Sequence, residues 1–185
     1  MQAMQQQATD RFARQRVQQQ IHHTPASSAG LPVMRQVNWL VDLPAIVAIE
    51  NESFAQPWSF CTFVSFMNKS NTGATVAVLR GKVVGFMLHE VHLEGGSARN
   101  SNVERLHVAH IAVSKDCRNM GIGSTLVNSL SSTALSLGAA TSLNVRRSNR
   151  LARELYKSLG FAVVRVLSGH YADGEDALVM EFAGA

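Results

Sequence analysis

Asp116-Cys117-Arg118-Asn119-Met120-Gly121-Ile122-Gly123-Ser124-Thr125-Leu126-Val127 links an apolar run, Val108 to Val113, to a helical pattern. In that pattern Leu126, Val127, Leu130, Ala134 and Leu137 share one face, and Gly138 ends it. Two glycines one residue apart at a strand-to-helix junction suggest either a phosphate cradle or a tight turn that needs glycine. The two common cradle motifs both fail. G-x-G-x-x-G needs a glycine where Leu126 stands, and G-x-x-x-x-G-K-[ST] needs a lysine that is missing. The physics of the junction remains. Unpaired N–H groups of the turn and the first helical turn converge on one space, and the helix dipole adds positive potential there. Glycine lets backbone approach a diphosphate without a Cβ in the way. Ser124 and Thr125 add hydroxyls, and Arg118 is either a phosphate contact or a solvated loop residue.

On the N-terminal side, Arg35 to Leu40 reads as an edge strand. Asp42 is expected to cap a helix running to about Glu52, with Pro44 near its first turn. Ser59 is expected to cap a second helix carrying Phe60, Phe63, Val64 and Met67, with Trp58 at the junction as packing or as a substrate wall. Ala74 to Leu79 and Val83 to Val91 form a hairpin about Arg80-Gly81-Lys82. A polar loop, Glu94 to Asn102, precedes a strand from Arg105 to Val113. On the C-terminal side a buried-type strand, Ala140 to Val145, leads to a helix begun by Ser148 or Asn149 and closed by Gly160. Phe161 to Leu167 and Ala177 to Phe182 complete a final strand pair. The order β-α-α-β-β-β-α-β-α-β-β predicts an α/β fold with a mixed, mainly antiparallel central sheet flanked by helices.

The chain has 185 residues, enough for one domain with a sizeable core, and its 46% hydrophobic and 16% charged residues make it globular. Net charge is +4, with no lysine block or Arg/aromatic stripe, so direct nucleic-acid binding is not expected. Cys61 and Cys117 belong to no cysteine or Cys/His cluster, which points to a reducing compartment, the cytoplasm, and to no metal. No run of 18 apolar residues suggests a membrane span, and the beginning lacks the apolar core of a secretory signal. Residues 1–33, with eight Gln in the first twenty, read as a flexible extension, and residues 34–185 as the domain. The extension has other readings, as a helix on a partner or a targeting arm, and Met34 is an alternative start. His22 and His23 have no carboxylate nearby to complete a metal site. The expected state is a monomer or weak homodimer.

Four segments together resemble the GNAT N-acetyltransferase superfamily, and within it the bacterial ribosomal-protein alanine N-acetyltransferases. They are Phe54-Ala55-Gln56-Pro57-Trp58-Ser59; the Arg118 to Gly123 turn; Val145-Arg146-Arg147-Ser148-Asn149 with Ala152, Leu155-Tyr156 and Gly160-Phe161; and Tyr171 with Glu175-Asp176-Ala177-Leu178-Val179-Met180. Their order and spacing match over residues 36 to 183. The resemblance implies the GNAT acyl-CoA N-acyltransferase fold and acetyl-CoA as acyl donor. It places the pyrophosphate on Arg118, Asn119, Met120, Gly121, Ile122, Gly123, Ser124 and Thr125, with Asn149 bonding to CoA. The pantetheine arm is expected beside Ile111, Ala112 and Val113, where this strand splays from the strand at Ser142 to Val145. Tyr156, seven residues after Asn149 and on the same helix face, matches the family's general acid near the CoA sulfur. Phe54, Pro57, Trp58, His170, Tyr171 and Glu175 are expected to wall the acceptor groove.

The sequence departs from the resemblance at the base. The ribosomal enzymes carry a glutamate twelve residues before the acid tyrosine, and this chain has Asn144 there. Asn accepts no proton at neutral pH, so it positions a water or the amine, or bonds within the sheet. His110, His107 and Glu104 are the nearby substitutes, and an imidazole ordinarily titrates near 6.5. An α-amine neutral in solution, needing no base, is the remaining alternative. His170 replaces the first tyrosine of the ribosomal enzymes' pair, in a shorter loop. Glu175 or Asp176 either meets a basic acceptor residue or solvates a turn. The expected function is direct acetyl transfer in a ternary complex to a protein N-terminal α-amine, with a ribosomal protein's alanine as the finest reading. The alternatives are a small-amine or lysine acetyltransferase and a non-catalytic acyl-CoA-binding module.

Overall fold

In the computed structural model the described residues are 11, 13, 15–17, 30–93 and 103–182. Seven strands form one sheet: β1 (Val33–Gln36), β2 (Thr72–Leu79), β3 (Lys82–Leu93), β4 (Val103–Val113), β5 (Ala140–Arg146), β6 (Ala162–Leu167) and β7 (Ala177–Phe182). Their spatial order is β1-β2-β3-β4-β5-β7-β6. Every neighbouring pair is antiparallel except β4 and β5. The helices are α1 (Trp39–Ser53), α2 (Phe60–Met67), α3 (Ile122–Ser136) and α4 (Arg150–Ser158), in the order the sequence predicts.

The local chemistry accounts for the boundaries. β1 ends at Gln36, earlier than expected, because Asn38 rather than Asp42 caps α1 and accepts the Leu40 N–H. Asp42 sits in the first turn instead, buried, with both carboxylate oxygens on Arg35 at 2.6 and 2.7 Å. That bidentate pair, together with the Asn38 N–H, holds its carboxyl below the usual range. Ser59 caps α2 and accepts the Thr62 N–H. Arg80 and Gly81, at φ 50° and 77°, make the two-residue turn between β2 and β3. Asn149 caps α4 through the Ala152 N–H.

Two apolar clusters pack on the sheet. Ile46, Ile49, Phe63, Phe66, Phe86 and Leu88 fill the α1–α2 side, whereas Leu106, Val108, Leu126, Leu130, Leu143 and Tyr156 belong to the α3–α4 side. Arg11, Ala13 and residues 15–17 are helical, and Ala13 and Val17 are buried in the α3–α4 cluster. At these residues the flexibility expected for 1–33 gives way to packing, because Ala13 and Val17 stand four apart and share a helix face. The rest of residues 1–29, including His22 and His23, and the loop 94–102 lie outside the described residues. No described helix is long and apolar enough to cross a membrane.

Candidate active site

β4 and β5 pair only from Arg105↔Ala140 to Val108↔Leu143. Beyond that point His110 to Val113 stay paired with β3, and Asn144 to Arg146 with β7, so the strands part and leave a cleft with one open edge of β4. Ile111, Ala112 and Val113 lie on this stretch. The last paired residues of β4 also carry a β-bulge. His89 is opposite Val108 and Leu88 is opposite His110, which leaves Ala109 as the extra residue. The bulge breaks the alternation of side chains. Val108 therefore faces the α3–α4 cluster, while His110, two residues on, packs among Phe54, Trp58 and Phe86 on the α1–α2 side.

The turn after β4 is built as a cradle. Asn119 and Gly121 adopt left-handed φ of 61° and 75°, and Gly121 precedes α3 without a side-chain cap. The N–H groups of Ile122, Gly123 and Ser124 thus begin the helix with no intrahelical acceptor. A Cβ at Gly121 would meet nothing within 4 Å, so the space over the turn is open. Thr125 turns its hydroxyl back to the Gly121 carbonyl at 3.0 Å. Arg118 donates to the Val113 carbonyl at 3.1 Å and to Ser53 Oγ at 3.0 Å, and Glu52 accepts the Lys115 N–H at 3.0 Å. These bonds sew the cradle to the end of α1. A helix N-terminus, an open left-handed turn and a flanking guanidinium fit the diphosphate of CoA. Met120 is exposed beside them.

Tyr156 lies on the α3–α4 side of the cleft, 7% exposed. Burial, with a smaller contribution from Tyr171, pushes its phenol up to about 12, so it is protonated at neutral pH. Asn144, on β5 just beyond the last β4–β5 pair, is half-buried opposite Val179. His107 bonds through Nδ1 to Ser142 Oγ at 2.8 Å, and its ring meets His92 edge-on. Burial first, then His92, pushes its imidazole below the ordinary value, so it stands neutral at pH 7. Glu104 is not brought to the cleft. It is the extra residue of a second bulge near the start of β4, 53% exposed and beside Arg105.

The loop after β6 is held from one side. Arg146 lies 3.9 Å from the Tyr171 ring centroid and bonds Asp173 and Glu175, each at 2.8 Å. Glu175 also accepts the Ser148 N–H at 2.7 Å. The Ser148 hydroxyl and N–H, followed by Arg146, pull the Glu175 carboxyl down to about 2. Both of its oxygens are thus engaged by the protein. Asp176 accepts from Gly169 N–H and Arg147. His170 is exposed, meets Tyr171 edge-on at 5.1 Å, and is close enough to His107 to oppose its protonation. Phe54 and Pro57 are exposed in the α1–α2 loop, and Trp58 is half-buried against His110.

Sequence reading missed Glu50, Arg146, Ser53 and Asp173. Glu50 left a faint signal, a carboxylate four residues after Ile46 and next to Ile49 on the buried face of α1. Among the described residues no group of three His, Cys, Asp or Glu could hold a metal.

Residues 43–161 match the acetyltransferase (GNAT) family. The chain is 34% identical over 143 residues to the ribosomal protein bS18-alanine N-acetyltransferase of Escherichia coli K12, covering 75% of this chain and 89% of that one. It is 32% identical over 145 residues to an N-alpha-acetyltransferase of Sulfurisphaera tokodaii, covering 76% and 87%. The crystal structure of the E. coli ribosomal-protein-S18-alanine enzyme superposes with a TM-score of 0.69 at 30% identity, over 82% of this chain and 92% of that one. Arabidopsis thaliana NAA60 in complex with acetyl-CoA shares the fold, with a TM-score of 0.70 at 20% identity over 82% and 97%. With its splayed strands and glycine cradle, the chain belongs to the GNAT acetyltransferase family, whose members move an acetyl group from acetyl-CoA to an amine.

Proposed function

We propose that the acceptor is the N-terminal α-amine of a protein, with a small residue such as alanine first and a ribosomal protein as the finest reading. The observation that carries this is the pair of groups on opposite sides of the β4–β5 cleft, Tyr156 on one and His110 on the other. Acetyl-CoA supplies a thioester carbonyl when bound. The cradle at Gly121 to Ser124 seats the diphosphate, and the open edge of β4 orients the pantetheine arm. Tyr156 remains protonated and donates toward the sulfur as the C–S bond breaks.

An imidazole base suits an α-amine better than a lysine side chain. An α-ammonium ordinarily gives up its proton at about 7.7–8.0 and a lysine ammonium only at about 10.4, so the α-amine asks less of the same base. The acidic groups of the loop after β6 are occupied, Asp173 and Glu175 by Arg146 and Ser148 and Asp176 by Arg147 and the Gly169 N–H, so Phe54, Trp58 and Tyr171 carry acceptor recognition. Uncharged rings favour a neutral first residue. The α-amine specificity of relatives at about a third identity supports the same reading. Both cysteines are unpaired, in keeping with the cytoplasm.

Thiol release from acetyl-CoA tests the reading with a peptide beginning Ala-Arg, the same peptide N-terminally blocked, a lysine peptide and a polyamine. Turnover is expected with the free α-amine and not with the blocked peptide. Preference for the polyamine or the lysine side chain would overturn it, and acetyl-CoA binding without any turnover would assign a non-catalytic module. Tyr156→Phe is expected to lower kcat about 100-fold with acetyl-CoA affinity retained.

A further inference from the structure

Glu50 is completely buried on the last turn of α1, a position where a carboxylate without partners would cost several kcal/mol. It has two partners, and neither belongs to α1. Oε1 accepts the Trp58 N–H at 2.8 Å, and Oε2 lies 2.8 Å from His110 Nε2. A carboxylate only accepts, so Nε2 carries the hydrogen and the neutral ring keeps its lone pair on Nδ1. Trp58, held by the same carboxylate, lies flat on the imidazole, with centroids 4.4 Å and planes 12° apart. Phe54 and Phe86 follow at 4.7 and 6.0 Å. Turning the ring over in its own plane would leave the stack in place but break the Nε2 bond, so the carboxylate is what fixes which nitrogen faces it. The imidazole still reaches solvent, at 15% exposure, where β4 leaves β5.

We propose that Glu50 is a positioning residue that fixes His110 with Nδ1 unprotonated and thereby makes it the group that takes the proton of the acceptor amine. The proposal rests on amine acetylation at this cleft, and it supplies the base that Asn144 cannot be. One proton passes from the acceptor ammonium to Nδ1, and the imidazolium keeps its Nε2–H on Glu50. The freed lone pair forms the C–N bond while the C–S pair leaves with sulfur. The second amine proton ends on that sulfur by way of Tyr156, and the first returns from Nδ1 to solvent. Glu50 is the charged group bonded to the ring; Phe54, Trp58 and Phe86 bring no charge. His107, three residues earlier on β4, has its own Nδ1 engaged by Ser142.

Glu50→Gln separates this role from packing. The amide oxygen can keep the Trp58 N–H, which turns the NH2 group toward Nε2 and moves the imidazole hydrogen to Nδ1. The shape is preserved and the tautomer is inverted. Nitrogen-15 NMR of the imidazole is expected to show Nε2–H in the wild type and Nδ1–H in Glu50→Gln. The variant's kcat should fall roughly 100-fold, with KM for acetyl-CoA within about twofold. That deficit should narrow between about pH 7 and about pH 9.5, where an α-amine becomes neutral without help. Nδ1–H in the wild type, an undiminished kcat in the variant, or a deficit equal at every pH would overturn the proposal. If circular dichroism shows Glu50→Gln unfolded, the wild-type tautomer and the pH dependence of His110→Gln decide instead. Failure of the wild type to acetylate any α-amine would defeat the proposed function alone, since the tautomer is read without an acceptor.

Discussion

Gly121 has a φ of 75° and open space where a Cβ would go, so substitution there tests backbone conformation without steric clash. An L-residue in this region costs about 1–2 kcal/mol. Gly121→Ala is therefore expected to lower stability in urea by about 1 kcal/mol. It should also weaken acetyl-CoA binding severalfold by calorimetry, because the strained turn re-aims the first N–H groups of α3. The shape of this turn was legible in the sequence, since a glycine break between strand and helix calls for left-handed backbone. Tyr156, buried on the α3–α4 side, was singled out through the resemblance. Glu50 was not. Its meaning depends on His110, 60 residues away, and a carboxylate at a helix end is ordinarily a solvated group.

Strands and helices were legible from periodicity and capping, whereas the bulge at Ala109 was not. Strict alternation over Leu106 to Val113 would put His110 on the same face as Leu106 and Val108. The extra residue reverses that, and a two-residue period carries no mark of where it is interrupted. The loop after β6 shows the same limit, because the partner of Glu175 is Arg146, on a strand not adjacent in sequence. Removing that partner with Arg146→Ala is expected to raise KM for the peptide severalfold, with little change in KM for acetyl-CoA. The pH dependence follows from the sign of the shifts. Asp173 and Glu175 are both held below their ordinary values, Glu175 at about 2 against 4.5. Their anchoring of the loop is thus fully present above about pH 4.5 and is lost as pH falls toward 2. Amide exchange at Tyr171 and Gly174, corrected for intrinsic rates, should show that loosening in full in the wild type and in smaller measure in Arg146→Ala, where the Ser148 bonds to Glu175 remain.

The sheet separates two cores, and the proposed mechanism draws on both. Tyr156 belongs to the α3–α4 side and His110 to the α1–α2 side, so that mechanism puts the acyl carbon in the cleft between them. The end of α1 joins the parts, with Glu50 on His110, Glu52 on the Lys115 N–H and Ser53 on Arg118. The α3–α4 core also extends beyond the residues that match the family. Val17 is fully buried in it and Ala13 nearly so, alongside Met34, Ala77 and Val84. Truncating a buried valine removes two methyl groups, worth about 2 kcal/mol by transfer and cavity terms together. For a chain of this size that corresponds to a Tm lower by about 4–8 °C. Val17→Ala is expected to show this loss in thermal unfolding, and Gln15→Ala, at an exposed position two residues earlier, is expected to show almost none. Equal Tm values for Val17→Ala and the wild type would mean that the segment does not pack on the domain in solution. The contrast matters for the domain boundary, because a packed segment folds with residues 34–185 and a tethered extension does not.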